Sequence, residues 1–138
     1  MLYEEWEAGV PSRIKEEALW SFFGYRKAPF FYDLCWEDCE KLVRHPLDKA
    51  VAQQLVLGAG SISANIEEGY GRGYGRERLY FLHVAVGSAR ESKGWYYRAK
   101  ALLSSKVIEH RLNLMRGHRP AHRRTGHFPK ALICRFAD

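Results

Sequence analysis

The chain has 138 residues, 46% hydrophobic and 28% charged, which is typical of one soluble globular domain and too apolar for wholesale disorder. Its net charge of +6 arises entirely at positions 110–138, which hold seven of the 22 Lys and Arg residues and one of the 16 Asp and Glu residues. No apolar run approaches the roughly 18 residues of a membrane-spanning helix, and the acidic start lacks the basic flank of a secretory signal.

The first part of the chain is predicted to form an N-terminal extension over residues 1–24, with a short serine-capped helix over 13–23 that Gly24 ends. The next helix is expected over 25–44, where apolar residues recur at helical spacing. Pro29 lies near the start of that helix, where a missing backbone donor is tolerated.

Small residues crowd the middle of a second predicted helix, which runs from about Pro46 to Glu68. Gly58 and Gly60 lie inside it, and each costs about 1 kcal/mol relative to alanine. We therefore expect a neighbouring backbone to approach this helix closely. Gly69 is expected to cap its C-terminus in the left-handed conformation.

A third helix is predicted from about Arg76 to Leu103, because apolar residues repeat there at intervals of three and four. Ser104 or Ser105 offers a cap for a fourth helix, whose apolar stripe ends at Gly117. No segment shows the alternation of a β-strand. The pattern predicts an all-α fold, an up-and-down antiparallel four-helix bundle whose fourth helix is truncated.

These elements divide the chain into three segments: the N-terminal extension over 1–24, the four-helix bundle over 25–116 and a basic irregular tail over 117–138. The charge of the tail would attract a polyanion. A solvated terminus and a shifted reading frame are the two alternatives for this segment.

Four glycines alternate with aromatic and basic residues between the second and third helices, from Gly69 to Gly75. Known phosphate-binding glycine loops need a preceding strand or a following Lys-Ser/Thr pair, and this loop has neither. A turn is one interpretation. The other is a surface that offers stacking faces and phosphate contacts to single-stranded RNA. Its residues would be Tyr70, Arg72, Tyr74, Arg76 and Arg78.

No pattern of catalytic or metal-binding residues stands out. Cys35 and Cys39 share a helical face, but a zinc site needs four ligands and no further pair has matching spacing, so buried thiols are expected. Three cysteines without a CxxC pair also fit a reducing cytoplasm better than a disulfide framework. His83 is expected to be a hydrogen-bonded edge residue, and Ser61 has no nucleophile-elbow context. We expect no enzymatic activity, no catalytic residue, no metal and no cofactor.

Three consecutive aromatic residues, Trp95, Tyr96 and Tyr97, must point to three different faces of one helix. At least one of them therefore faces away from the core of the subunit. Tryptophan and tyrosine are favoured at protein interfaces, so we expect Trp95 and Tyr97 to contribute to an oligomer interface.

Two sequence motifs resemble the four-helix-bundle family of proteins encoded in intervening sequences of bacterial 23S ribosomal RNA genes. The first reads SISANIEEGYGR from Ser61, and the second reads RERLYFLHVAVGSARESKGWYYRA from Arg76. The resemblance extends from about Tyr25 to Met115. The positions that match the family pattern are Ser61, Ile62, Asn65, Ile66, Glu68, Gly69, Arg72, Phe81, Leu82, Ala85, Gly87, Ser88 and Glu91.

This resemblance implies a left-handed antiparallel bundle that assembles as a homopentamer and has no established catalytic activity. The accessory variability determinant of diversity-generating retroelements, which binds nucleic acid and a reverse transcriptase, is a more remote likeness. The polar motif positions suit internal roles, with Asn65 and Glu68 bonding to Arg72, Ser88 or Glu91 across the second and third helices. The chain departs from the family pattern at Pro29 and where the fourth helix stops.

The leading hypothesis is a non-enzymatic, cytoplasmic, oligomeric bundle that associates with nucleic acid, with structured RNA as the favoured ligand and no membrane partner. The alternative is a protein-interaction scaffold or accessory subunit, for example of a reverse transcriptase, with Trp95 and Tyr97 as anchors. A hydrolase is a distant third. The predicted phosphate contacts are Arg72, Arg76, Arg78, Arg119, Arg123 and Arg124.

Overall fold

A computed structural model describes residues 1–44, 46 and 48–116, and every regular element in this part of the chain is helical. The α-helices are α1 (Tyr3–Gly9), α2 (Ser12–Lys15), α3 (Phe23–Leu42), α4 (Asp48–Gly71), α5 (Arg76–Arg98) and α6 (Ser105–Leu114). Short 3₁₀ helices lie at Ala18–Ser21 and Ala99–Ala101. Of the helices described, none combines the length and apolar character needed to cross a bilayer.

Helices α3 to α6 form the predicted all-α bundle, in which α4 and α5 share the most extensive contact and α3 packs along α4. The direction of α4 and α5 is antiparallel, because Ser61 bonds to Ser88 near the middle while Gly69 lies against Phe81 near one end. Helix α6 packs against α5 and α3. With 10 residues it is less than half as long as α5, which has 23, as the truncated fourth helix predicts.

The core lies between α3, α4 and α5 and combines large and very small side chains. Leu34, Leu55 and Tyr96 are fully buried, and Ala59 is buried beside them. Fully burying a leucine side chain stabilises the fold by roughly 1.5–3 kcal/mol. The apolar spacing in the sequence therefore identified the inward faces of these three helices correctly.

The start of α3 corrects two details of the prediction. The helix begins at Phe23, so Gly24 lies inside its first turn and does not end a preceding helix. The expected helix over 13–23 is instead divided into α2 and a 3₁₀ turn. Glu17 explains the division, because its extended backbone (φ −64°, ψ 136°) separates the two segments. Phe22 is also extended (φ −82°, ψ 102°) and separates the 3₁₀ turn from α3. Pro29 is the seventh residue of α3, beyond the first turn.

The end of α4 differs from the prediction as well. Helix α4 continues through Gly69 to Gly71, so Gly69 is not a C-terminal cap. The left-handed backbone conformations fall at Gly73 (φ +87°) and Gly75 (φ +91°), in the turn itself. Gly69 serves packing instead, because a Cβ there would lie 3.1 Å from the Cβ of Phe81 and 3.2 Å from a backbone oxygen of α5.

The connection from α5 to α6 settles the choice between two capping residues. Helix α5 ends at Arg98 and a 3₁₀ turn follows, which is slightly earlier than the predicted end. Ser104 is the cap of α6, because its hydroxyl accepts a hydrogen bond from the backbone N–H of Val107 at 3.3 Å. A serine in this role stabilises a helix by about 1 kcal/mol.

The N-terminal extension packs on α3 through aromatic side chains that the sequence did not predict to be in contact. The indole N–H of Trp6 donates to Asp33 Oδ2 at 2.7 Å, and its ring lies against Trp20 and Phe30. Glu7 accepts hydrogen bonds from the Tyr3 hydroxyl (3.1 Å) and from Arg26 (2.9 Å). Burial and the hydrogen bond to Glu7 raise the pKa of Tyr3 to about 12.

Candidate functional site

The turn between α4 and α5 brings together three of the arginines predicted to contact nucleic acid. Arg72 follows the last residue of α4, and Arg76 and Arg78 lie in the first turn of α5. Arg72 pairs with Glu68 through a 2.7 Å bond on the exposed surface, which partly neutralises its charge. The same hydrogen bond to Glu68 raises the pKa of Arg72. Arg76 is exposed.

Two tyrosines in this turn have different environments. Tyr70 lies between Phe22, whose ring is stacked on it at 6.1 Å, and the guanidinium of Arg78, whose Cζ is 3.6 Å from the Tyr70 ring centre. Tyr74 is 89% exposed, and the Cζ of Arg78 is 5.3 Å from its ring centre. Only Tyr74 of this pair therefore offers an accessible ring.

A cavity of about 460 Å³ opens beside this turn. Its walls are mostly apolar, and two arginines stand at its edge. An apolar concave surface with a few polar groups is the usual form of a small-molecule site. The lining residues are Phe22, Tyr70, Gly75, Arg76, Arg78, Leu79 and Leu82.

The motif residues of α4 and α5 form a different structure, which we call the serine seam: Ser61 and Asn65 of α4 with Ser88 and Ser92 of α5. The hydroxyls of Ser61 and Ser88 are 2.8 Å apart, and Ser92 donates to the backbone oxygen of Ser88 at 2.9 Å. Asn65 Nδ2 donates to the Ser61 backbone oxygen (2.7 Å) and hydroxyl (3.0 Å). The Ser61 hydroxyl is thus part of a neutral hydrogen-bond chain between helices.

The predicted partners across the two central helices are corrected in part. The bond that crosses from α4 to α5 joins Ser61 to Ser88, while the amide of Asn65 bonds within α4. Glu68 pairs with Arg72 in the turn that follows its own helix, and Glu91 accepts a 3.4 Å bond from the indole of Trp95 in α5. Side chains three or four residues apart on a helix are neighbours, which favours these local pairs.

Glycines along the same contact have unequal surroundings. A Cβ at Gly58 would lie 2.8 Å from the Ser92 hydroxyl, so this glycine permits close approach of α5. A Cβ at Gly87 would meet nothing within 4 Å, and the residue is exposed. Gly87 therefore has no packing role among the residues that the structure describes.

A buried ionic cluster, the charged clasp, joins α3, α5 and α6 and was missed by the sequence analysis. It consists of Asp38, Tyr96 and Arg111. Arg111 binds the Asp38 carboxylate with two nitrogens, at 2.8 and 3.1 Å, and the Tyr96 hydroxyl donates to it at 2.9 Å. Asp38 is 1% exposed. Burial of Tyr96 is the main cause that raises its pKa, so the hydroxyl stays protonated and donates.

One signal in the sequence could have revealed the charged clasp. Asp38 occupies a position on the apolar stripe of α3, four residues after Leu34 and four before Leu42. Arg111 lies in the same way on the apolar stripe of α6, four residues before Met115. Charges are rarely buried unless paired, so opposite charges at two core positions indicate an ion pair.

Two grooves lie on the bundle surface, one between α3 and α4 and one between α5 and α6. The first, the α3/α4 groove, has a volume of about 380 Å³ and is apolar, with Trp36 (50% exposed) and Leu57 (60% exposed) at its surface. The second, the α5/α6 groove, has a volume of about 690 Å³ and carries Lys93, Lys100 and Arg116 against one acid, Glu109. Burial and the nearby Arg90 and Arg116 lower the pKa of Lys93.

The two aromatic residues predicted at an oligomer interface lie on the same helix in different settings. Tyr97 is 61% exposed and lines the α5/α6 groove, where the Lys100 ammonium lies 4.3 Å from its ring centre. Trp95 is half-buried, and the Arg98 guanidinium covers its ring at 4.9 Å. Tyr97 is thus the more accessible anchor.

The remaining predicted features carry no site among the described residues. Cys35 and Cys39 are buried thiols with sulfurs 4.0 Å apart, as expected. No group of three or more His, Cys, Asp or Glu side chains that could hold a metal is found in 1–44, 46 and 48–116. His83 is exposed. The predicted phosphate contacts Arg119, Arg123 and Arg124 lie outside the described residues.

Comparison with known proteins agrees with the two motifs. The model of the 23S rRNA-intervening sequence protein family matches residues 24–115, from the second residue of α3 to just beyond the end of α6. No curated protein and no solved structure matches the chain. Because the family match covers about two thirds of the chain, the chain belongs to the 23S rRNA-intervening sequence protein family.

Proposed function

We propose that the chain is a non-enzymatic, cytoplasmic, self-associating bundle that binds nucleic acid, with structured RNA as its preferred ligand. The observation that carries this proposal is the α4–α5 turn, where Arg72, Arg76 and Arg78 lie together beside the exposed Tyr74. The family name, which refers to an intervening sequence of 23S rRNA, adds support.

The turn offers positive charge to a polyanion. Glu68 offsets the charge of Arg72, and one further acid, Glu77, lies between Arg76 and Arg78 in the first turn of α5. Arg76 is exposed and keeps its charge, as does Arg78. Phosphate contacts of this kind give affinity without sequence readout and release counterions, so binding weakens steeply as salt rises.

Self-association would use the two grooves. The α3/α4 groove is apolar and includes one acid and one base, Glu40 and Lys49, while the α5/α6 groove is cationic and includes Tyr97. Two different faces in contact make a head-to-tail interface, and such an interface gives a ring when the rotation between neighbouring subunits closes on itself. A ring with its axis along the bundle would place every α4–α5 turn at one end, where repeated weak phosphate contacts would add. The family resemblance predicts five subunits.

The RNA-binding proposal is tested with a labelled RNA hairpin across a salt series. Replacing Arg72 and Arg76 by alanine should weaken binding at least tenfold at 0.1 M salt and reduce the salt slope by about 2, since two phosphate contacts are lost. The control variant, Lys41→Ala with Arg44→Ala, removes two exposed charges at the C-terminal end of α3, opposite the end that lies near the α4–α5 turn. Its affinity for the RNA hairpin should stay within about twofold of the native value. Absence of binding by the native chain at low salt would contradict the proposal.

The assembly proposal is tested by light scattering. Leu57→Asp puts a charge in the apolar α3/α4 groove and should yield single subunits, because burying an unpaired carboxylate is costly. Ala8→Asp changes an exposed position on α1 and should leave the native mass unchanged. A native chain that is monomeric at micromolar concentration would overturn the assembly.

An alternative proposal is that Tyr97 anchors another polypeptide, as the exposure of its ring allows. A nuclease-treated pull-down that recovers one protein, and loses it with Tyr97→Ala, would favour this alternative. In that case the native chain should show no salt-sensitive binding to the RNA hairpin.

A further inference from the structure

We propose that the α4–α5 turn binds an unpaired nucleobase, which stacks on the ring of Tyr74 while Arg76 contacts an adjacent phosphate. This inference rests on the proposed nucleic-acid function and specifies it. The ligand it selects is single-stranded RNA, or the unpaired loop of a folded RNA, in preference to a duplex.

Tyr74, and not Tyr70, carries the stacking surface. Tyr70 already has Phe22 stacked on it at 6.1 Å and the Arg78 guanidinium 3.6 Å from its ring centre. Tyr74 is 89% exposed and has the same guanidinium at 5.3 Å. Its ring is therefore open to a flat ligand, and the planar guanidinium of Arg78 can also contact a base that binds there.

The backbone presents Tyr74 in a fixed way. Gly73 and Gly75 flank it with φ of +87° and +91°, conformations that other residues rarely adopt. A Cβ at either glycine would meet nothing within 4 Å, so neither glycine is packed against the bundle, and Tyr74 between them is 89% exposed. The turn thus holds an aromatic ring away from the bundle without covering it.

The surroundings match the two chemical parts of a nucleotide. Beside the turn, a cavity of about 460 Å³ that Tyr74 does not line has apolar walls from Phe22, Leu79 and Leu82, which suit the edge of a base. Arg76 also lines this cavity and suits the phosphate. Bases within a duplex are stacked on each other and expose no face to a protein ring, so this arrangement selects unpaired bases.

The test compares three labelled probes on the native assembly: a 12-nucleotide single-stranded RNA, the blunt 12-base-pair duplex and inorganic polyphosphate. We expect the single strand to bind at least tenfold more tightly than the duplex. Tyr74→Ala should lower single-strand affinity about tenfold, as expected for the loss of one base–aromatic stack, and leave the affinities for duplex and polyphosphate unchanged. Tyr74→Phe should retain the native affinity, because stacking needs only the ring.

Tyr80→Ala is the matched control, since Tyr80 is an exposed tyrosine (64%) on α5 outside the turn, and it should bind like the native chain. Tyr74 is exposed, so its replacement should not alter the melting temperature. Equal affinity for single strand and duplex, or a Tyr74→Ala variant that binds like the native chain, would overturn this inference while leaving the proposed function in place. Failure of all three probes to bind would overturn both.

Discussion

The serine seam and the charged clasp both join helices of the bundle through polar atoms, but they use opposite chemistry. The serine seam uses short neutral side chains between α4 and α5, where Gly58 lets the helices approach. The charged clasp places a carboxylate and a guanidinium in the interior, where Asp38 is 1% exposed. The first depends on closeness of the backbones and the second on charge pairing.

Because of this difference, the same kind of substitution destabilises the two clusters to different extents. A neutral hydrogen bond contributes only about 1 kcal/mol net, so one hydroxyl of the serine seam can be lost cheaply. Removing one partner of a buried ion pair leaves a charge in a medium that solvates it poorly, which costs far more. Conversely, an added methyl group disturbs a close helix contact but has little effect on an ion pair.

The largest effect is expected for Arg111→Ala. It leaves the Asp38 carboxylate buried with the Tyr96 hydroxyl, at 2.9 Å, as its hydrogen-bond donor. The free energy of unfolding, measured by urea denaturation at fixed protein concentration, should fall by about 3–5 kcal/mol.

A matched variant removes the charged clasp as a whole. Asp38→Leu, Tyr96→Phe and Arg111→Met together leave no buried polar group of the clasp unpaired, and stability should return to within about 2 kcal/mol of the native value. A triple variant as unstable as Arg111→Ala would show that the loss comes from packing and not from the unpaired charge.

The next largest effect is expected for Gly69→Ala. The new Cβ would lie 3.1 Å from the Cβ of Phe81 and 3.2 Å from the backbone oxygen of Arg78, neither of which is the end of a flexible side chain. Overpacking of this kind should lower the free energy of unfolding by about 1–3 kcal/mol. Gly71→Ala, in the same helix with nothing within 4 Å, should be neutral or stabilising; equal losses for both would contradict the close contact.

A smaller loss of stability is expected for Gly58→Ala, and a second substitution should turn that loss into a gain. Its Cβ would lie 2.8 Å from the Ser92 hydroxyl, which must rotate and give up its bond to Ser88. Stability should fall by about 1 kcal/mol. In a Ser92→Ala background the same change should raise stability, because alanine is the better helix former and the clashing oxygen is gone. If Gly58→Ala lowered the free energy of unfolding in the Ser92→Ala background as well, the close contact between position 58 and the Ser92 hydroxyl would be contradicted.

The smallest effect should be an increase in stability with Gly87→Ala. Gly87 is exposed and has open space around its Cα, so alanine should stabilise α5 by about 0.5–1 kcal/mol. Light scattering on the same variant tests whether Gly87 lies at an interface between subunits. If the variant instead loses subunits, Gly87 lies where two chains meet, and its role is a close approach between subunits.

The close approach of α4 and α5 was predictable from the sequence, because an apolar stripe with internal glycines indicates a helix that a neighbour approaches closely. The bond of the serine seam that crosses between them, from Ser61 to Ser88, was not predicted. The ends of the helices were not predictable, because a glycine inside a helix and a glycine that ends one look alike in sequence. Gly69 was assigned as a cap, whereas the positive φ angles fall at Gly73 and Gly75. Gly24 was assigned wrongly for the same reason.

The charged clasp and the aromatic packing of the N-terminal extension were not predicted, because both depend on residues distant in sequence. Periodicity describes the face of one helix and gives no information on which helix it meets. The Trp6–Asp33 bond spans 27 positions and the Tyr96–Asp38 bond spans 58. In the candidate site, the sequence identified the arginines of the turn, but only the structure separates the covered Tyr70 from the open Tyr74.

The span of 73 positions between Asp38 and Arg111 has a consequence for synthesis of the protein. While the ribosome is still translating α5, the nascent chain already contains Asp38 but not the guanidinium that will neutralise it. The earlier helices can pair, yet sealing α3 against them at this point would bury a lone anion. Closure of α3 over Asp38 is therefore favoured only after Arg111 of α6 has emerged from the ribosome.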